Sequence, residues 1–239
     1  MNPWDSTDLA HLDFDASTFC GTARLFPLPN LVLYPHVMQP LHIFEERYRE
    51  MLEDALADDR LIAMALLEPG YEEEYDSRPP IAEFACLGKV VAQRRLADGR
   101  YNLLLLGVGR VRIVREIEPL RSFRRAKVEL VEDCCDFSSA DEEEQLQETL
   151  VAAFRKHLPC TCQVPEQLED LLSRHLSLGL LTDLAAYALP LDLAIKRQLL
   201  AERRVSVRAQ MLLSQIEQGL VRQPAVAKAL GFPPAFSDN

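Results

Sequence analysis

The hydrophobic period of this chain changes once, and that change limits what it can fold into. Up to Asp133 the apolar residues alternate or form short continuous runs, the marks of strands; beyond Ser138 they recur at three and four, the mark of helices. Strands collected first and helices second define an α+β chain, since a parallel α/β sheet would interleave them. Residues 22–44, TARLFPLPNLVLYPHVMQPLHIF, are cut by Pro27, Pro29, Pro35 and Pro40. Proline lacks an N–H and is confined to strand starts, edges and turns, so the stretch predicts two short, bent strands.

A helix is predicted next, because Phe44, Tyr48, Met51, Leu52, Ala55 and Leu56 share one face while Glu and Arg fill the other. LIAMALLE (61–68) reads as a strand buried on both faces and ending at Pro69-Gly70. The polar loop YEEEYDSRPP leads to CLGKVVAQRRL, Asp98-Gly99 and RYNLLLLGVGRVRIVREIE, a hairpin in which Asp-Gly is expected to form a two-residue turn with both residues at positive φ. RRAKVELVED adds a strand with Ala126, Val128 and Leu130 inward. This half is expected to be mostly antiparallel.

Ser139 and Glu142 form a capping box ahead of the stripe Leu146, Leu150, Phe154, Leu158. A second helix is expected from near Pro165 to Gly179, burying Leu168, Leu171, Leu172, His175 and Leu176. Thr182, Asp192 and Ser206 are the expected caps of three more, the last facing Ala209, Leu212, Leu213, Ile216 and Leu220 inward. The organisation is an acidic tail (1–20), a β-rich domain (21–133), a helical bundle (138–222) and a C-terminal tail (223–239), with no internal repeat.

Charge narrows the function classes. The chain of 239 residues carries a net charge of −11, which opposes sequence-independent binding to nucleic acid. No apolar run approaches the ~18 residues that span a bilayer, so no membrane partner is expected. The first twenty residues hold four Asp and no Lys or Arg, the reverse of an export signal, and imply a cytoplasmic protein with reduced thiols.

Three blocks carry a family resemblance. FPL (26–28), LYP (33–35), PLHIFE (40–45) and Arg47-Tyr48 form the first. CLGKVVAQRRLADGRYNLLLLGVGRVRI, with its Gly107-x-x-Arg110 turn, is the second, and LTDLAAYALPLDLAIKRQLLAERRVSVRAQMLLSQI the third. Together they resemble the Lon protease N-terminal, substrate-binding domain, in particular stand-alone bacterial proteins built on that domain. They cover about residues 22–218. His36 departs from the pattern, since many relatives have Gly after the LYP step. The resemblance implies a bent antiparallel β pseudo-barrel of the PUA-like kind followed by a helical bundle. It also implies a non-catalytic module for protein quality control that takes unfolded or extended polypeptide and delivers it to a protease or chaperone.

Catalytic motifs are missing from the residues themselves. Gly88-Lys89 is preceded by Glu83 at the first Walker glycine position and followed by Val90, so it cannot wrap phosphates. The Gly-flanked serine and partner lysine of the Lon peptidase are also absent, and neither an enzymatic activity nor a cofactor is expected. Gly107-Val108-Gly109 joins strands instead of opening a helix, so it is read as a turn; the nine glycines are assigned to turns and caps. His157 with Cys134, Cys135, Cys160 and Cys162 offers soft ligands at spacings unsuited to a zinc knuckle, and no metal is expected. His36 and His42 are read as structural, His42 half-buried and bonded to backbone.

Glu45, at the start of the first helix, and Arg110 are expected to form a partly buried structural pair linking helix to sheet. The candidate partner-binding loop holds Tyr71, Tyr75 and Arg78, beside an edge to which an incoming strand could add. Glu72 to Glu74 and Asp141 to Glu144 are solvated acidic faces. Arg94-Arg95 and Arg121 with Arg124-Arg125 are the basic clusters, facing an acidic partner or RNA. Two other readings compete: an RNA-associated PUA-like module, by fold analogy alone, and a small-ligand protein using a cleft between the two halves.

Overall fold

The computed structural model describes residues 14–71, 78–118, 121–157 and 176–219. The chain divides into two compact units between Val131 and Glu132.

The first unit is a six-stranded sheet with one helix. Its strands are β1 (Thr22–Leu28), β2 (Met38–Ile43), β3 (Leu61–Leu67), β4 (Ile81–Arg95), β5 (Tyr101–Glu116) and β6 (Arg124–Val131), and α1 (Glu46–Leu56) lies between β2 and β3. The order is β2-β5-β4-β3-β1-β6, and β5 also pairs with β6. Strands β1, β3, β4 and β6 therefore each have two neighbours and β5 has three, with β2 standing outside the ring of five on β5. Every pairing is antiparallel except β1 with β3. The sheet is thus mostly antiparallel as expected, and the one parallel pair has a physical reason. Parallel neighbours need a long crossover, and here β2 and α1 supply it.

Pairing aligns small side chains from five strands on one face: Ala23, Leu25, Ala63, Ala65, Ala85, Leu87, Val111, Ala126 and Val128 are all buried together. Strands that return on themselves leave a narrow interior, which alanine fills without strain. The other face carries Phe26, Met64, Cys86 and Arg110 in one row across β1, β3, β4 and β5. Helix α1 packs on β1 and β3. It buries Tyr48, Met51, Leu52 and Ala55, with Tyr48 against Phe26 at 4.5 Å between rings.

The β4–β5 connection differs from the expected two-residue turn. Only Gly99 has positive φ (83°); Leu96 N–H donates to Arg100 O at 2.8 Å, and the Asp98 carboxylate accepts from the Arg100 N–H and Nε. A longer loop needs a single left-handed residue, and glycine supplies it. Nor is Gly107–Arg110 a turn: all four residues lie within β5, whose register against β4 shifts at Leu87/Gly88. Glycines 88, 107 and 109 are strand residues, two of them placed by close approach. A Cβ at Gly88 would lie 2.6 Å from the Leu105 side chain, and one at Gly107 would lie 2.0 Å from Tyr34 O. His36, the departure from the family pattern, has a left-handed backbone (φ 65°) that glycine adopts without cost.

An ion cluster absent from the sequence-level reading ties α1 to β1. Arg24, only 8% exposed, donates to Asp54 at 2.6 Å, Asp59 at 2.7 Å and Asp58 at 2.9 Å, and Arg121 reaches Asp54 at 2.7 Å. Burial alone would raise the Asp54 carboxyl, but the two guanidinium groups outweigh it and hold it below the ordinary value.

The second unit contains α2 (Ala140–His157), α3 (Leu178–Ala188), α4 (Leu193–Ala201) and α5 (Val205–Glu217) among its described residues. Half of the expected box is present at the N-terminus of α2, where Ser139 Oγ accepts from Glu142 N–H, while the Glu142 carboxylate reaches one residue further back and accepts from Ser138 N–H. Leu150 and Phe154 of its stripe are buried. The helix expected from Pro165 falls mainly on residues outside those described.

Two expected boundaries are corrected. Gly179 lies in the first turn of α3, and its cap is Ser177, whose Oγ accepts from Leu180 N–H. Thr182 is interior and 1% exposed, its hydroxyl donating to Gly179 O. Ser206 likewise lies inside α5, whose N-cap position is Arg204. A hydroxyl within a helix resembles a cap in sequence, and Thr182 shows why, since its side chain bonds backbone from inside the helix.

Candidate functional site

An apolar concave surface of the β-rich unit lies where β1 and β2 end and α1 begins. Alternation along β2 turns Leu41 and Ile43 inward, 2% and 1% exposed, and α1 then opens at Glu46. The groove holds about 190 Å³ and is lined by Phe26, Leu28, Leu41, Ile43, Tyr48 and Tyr71, with His42, Phe44 and Glu45 at the turn into the helix. Phe44, expected on the buried face of the helix, instead precedes it and is 41% exposed.

Polar groups frame this apolar floor. Glu45 occupies the N-cap position of α1, where the helix dipole favours a carboxylate, and it accepts from Arg47 Nε at 2.9 Å and from its terminal nitrogen at 2.7 Å. The Arg47 guanidinium lies 4.8 Å from the Tyr48 ring centre. His42 is half-buried as expected, but Nδ1 pairs with the Asn102 side chain at 2.7 Å rather than with backbone, and its ring stacks on Phe44.

Strand β2 offers an open edge only in part. Gly107 N–H donates to Val37 O, so by antiparallel alternation the backbone groups of Met38, Pro40 and His42 point away from β5. Pro40 has no N–H, and its carbonyl accepts from Gln39 Nε2 at 2.9 Å. The centre of the edge is closed to an added strand, a common protection of exposed edges.

The candidate loop residues separate. Tyr71 lines the groove. Arg78 instead donates to Glu116 at 2.9 Å and to Arg121 O at 2.8 Å, bracing the end of β5. Tyr75 lies outside the described residues, as do Cys160 and Cys162. Cys134 is half-buried, its backbone bonded to Arg203 and Val205, and Cys135 is exposed. Among the described residues no cluster of His, Cys, Asp and Glu is arranged to hold a metal ion, and no helix is long and apolar enough to cross a membrane. Sequence reasoning missed Phe26 and Leu41 as groove residues, since a core strand and a groove floor share one pattern.

A closed β-rich unit with an apolar groove, joined to a helical unit, describes a small α+β module, and comparison with known proteins gives its family. The model of the ATP-dependent protease La (LON) substrate-binding domain matches residues 22–218, and the chain belongs to that family. It is 27% identical over 186 residues to a Lon protease of Dictyoglomus thermophilum, covering 78% of this chain and 23% of that one. It is also 27% identical over 198 residues to the Escherichia coli Lon protease, covering 81% and 24%. The chain thus spans about a quarter of these proteases. In structure it resembles the Lon N-terminal domain protein of Xanthomonas campestris (TM-score 0.59, 22% identity, 81% and 97% covered). It also resembles the N-terminal domain of the Mycobacterium avium complex Lon protease (TM-score 0.62, 18% identity, 82% and 98% covered).

Proposed function

We propose that this protein is a non-catalytic recognition module that captures unfolded or extended polypeptide in the groove at the start of α1. In this reading it acts in the cytoplasm and passes its client to a protease or chaperone. The observation that carries the proposal is a large aromatic, Phe44, exposed at the mouth of a groove floored by Phe26, Leu41, Ile43 and Tyr48. An exposed aromatic beside an apolar concavity offers burial to a side chain that an unfolded chain presents and a folded one hides. The blocked centre of β2 favours this side-chain mode over strand addition. Membership of a substrate-binding family supports it, and the ring of pairings through β5, β4, β3, β1 and β6 is consistent with a PUA-like pseudo-barrel as scaffold.

The test is anisotropy of a labelled, permanently unfolded polypeptide titrated with the protein, alongside a structured RNA. Micromolar capture that survives physiological salt is expected, with no RNA binding. Phe44→Asp should weaken capture about tenfold, the scale of one lost apolar anchor, without lowering the melting temperature. Undiminished capture by Phe44→Asp, or RNA binding with a steep salt slope, would rule the reading out.

We also propose that Glu45 and Arg110 form a partly buried pair linking α1 to the sheet. Arg110 is 3% exposed and lies on the same sheet face as Phe26, against which Tyr48 of α1 packs. Arg110→Ala is expected to cost about 2 kcal/mol or more and Glu45→Gln somewhat less. Urea unfolding checks this, and unchanged midpoints for both variants would dismiss the pair.

A further inference from the structure

We propose that a C-terminal segment of this chain, Ala229 to Phe236, docks in the groove at the start of α1 and competes there with clients. The competition rests on the groove being the client site; the docking does not.

The groove limits the size of what it can take. It holds about 190 Å³ between Phe26, Leu28, Leu41, Ile43, Tyr48 and Tyr71. An apolar cavity of about 150 Å³ holds one benzene ring, so this floor accepts a single aromatic side chain with little to spare. Three of its lining residues are themselves rings, Phe26, Tyr48 and Tyr71. Aromatic walls of this kind suit proline-rich segments, whose extended backbone is set before binding.

The chain carries an occupant of that size and kind. Residues 220–239 follow Gly219, the last described residue. Within them ALGFPPAF (229–236) bears no charge, and Phe232 and Phe236 each offer one ring. Pro233 and Pro234 between them hold φ near about −65° before any contact forms. A segment already stiff gives up little conformational entropy on docking. Reach is sufficient too: the 13 residues from Gly219 to Phe232 span up to about 43 Å when extended. A compact unit of about 120 residues is only about 35 Å across.

Residues 1–13 make a poorer occupant. Asp5, Asp8 and Asp13 break up their apolar residues, and burying an ionised carboxylate in apolar surroundings is costly. They also lead into Phe14, which packs on the inner cluster of the sheet, the face opposite Phe26.

Tethering makes weak docking sufficient. A segment on the same chain is present at an effective concentration of about a millimolar, so a dissociation constant of about a tenth of that fills about nine grooves in ten and weakens a competing client about tenfold. The docked ring rests on the floor, and Phe44, exposed at the mouth, stays outside the contact.

The test compares methyl-labelled full chain with its Phe232→Ser/Phe236→Ser variant by NMR. The methyl signals of Leu28, Leu41 and Ile43 are expected to differ between the two, because a docked ring shifts the groups it covers, and the difference should persist on dilution. Capture of the labelled unfolded polypeptide should tighten about tenfold in the variant. Should that variant lose its fold, Pro233→Gly/Pro234→Gly keeps both rings and loosens only the segment, with about threefold tighter capture expected. Identical groove methyls in wild type and variants would overturn the proposal. A difference that vanishes on dilution would overturn it as well, by assigning the groove to a second copy of the chain. Shifted groove methyls with unchanged capture would sink the competition and place client binding elsewhere. Phe44→Asp separates the two readings: undiminished capture by it, with the groove methyls still responding to the Phe232 and Phe236 substitutions, would fail the groove as a client site and leave the docking standing.

Discussion

Gly107→Ala is expected to destabilise the β-rich unit by about 4 kcal/mol or more, the range reserved for substitutions that force backbone apart. The added Cβ would lie 2.0 Å from Tyr34 O and 2.8 Å from Tyr34 C. A clash with a flexible side chain could relax, but this one cannot. The segment before β2 is locked onto β5 at the point of contact, with His36 N–H donating to Gly107 O at 2.8 Å and Gly107 N–H to Val37 O at 2.9 Å. Moving Tyr34 away breaks both bonds. Two neighbouring glycines calibrate the result. At Gly88 the obstacle is the Leu105 side chain, which can repack, so Gly88→Ala should cost about 1–3 kcal/mol. At Gly109 the nearest atom is Leu130 Cδ2 at an ordinary 3.5 Å, and Gly109→Ala should cost less than about 1 kcal/mol. Urea midpoints of the three variants should rank in that order; a Gly107→Ala variant as stable as Gly109→Ala would contradict the close approach.

That glycine marks where sequence reading stops. Period and proline placement locate β1 to β6 and α1, because alternation and three-four spacing are properties of a few neighbouring residues. Gly107 answers to Tyr34, more than seventy positions earlier, and no local pattern contains that relation. It therefore reads as a turn. The parallel pairing of β1 with β3 is hidden for the same reason, as is Arg24, whose three aspartates lie thirty to thirty-five residues away. In the groove, Glu45 and Tyr71 are visible as a carboxylate at a helix start and an aromatic in a polar loop. Phe44 stands two residues before the helix: the apolar stripe runs through it, while the chain is still extended at Glu45 (ψ 138°) and α1 opens only at Glu46. Arg78 resembles a loop cation free for a partner and is instead committed to Glu116.

The largest effect in the helical unit is expected from Asp133→Ala, about 3–5 kcal/mol, because it strands a buried charge. Arg208 is 1% exposed and uses its whole fork. Its two terminal nitrogens donate to the Asp133 carboxylate at 2.7 and 2.6 Å, Nε donates to Thr182 Oγ1 at 3.1 Å, and Glu202 O accepts at 3.3 Å. Burial works against the cation, but the Asp133 hydrogen bond and the nearby charges of Asp183, Asp133 and Glu202 outweigh it and hold the guanidinium above its ordinary value. It therefore stays charged, and without Asp133 it keeps the desolvation cost and loses its bidentate partner. Gly179 belongs to the same arrangement, since a Cβ there would stand 3.0 Å from Asp133 Oδ2. This is the physical reason that a glycine sits in the first turn of α3, where sequence reading expected a helix to end. The pair itself need not be favourable over an apolar substitute of similar size. Asp133→Leu/Arg208→Met is expected to recover only part of the loss, because Asp183, 1% exposed, would then lose the neighbouring cation. Thermal and urea unfolding of the two single variants and the double give the coupling directly. A double variant no more stable than Asp133→Ala would mean that the charge matters for itself, through the geometry it imposes on Thr182 and the first turn of α3, and not merely as a partner that must not be left alone.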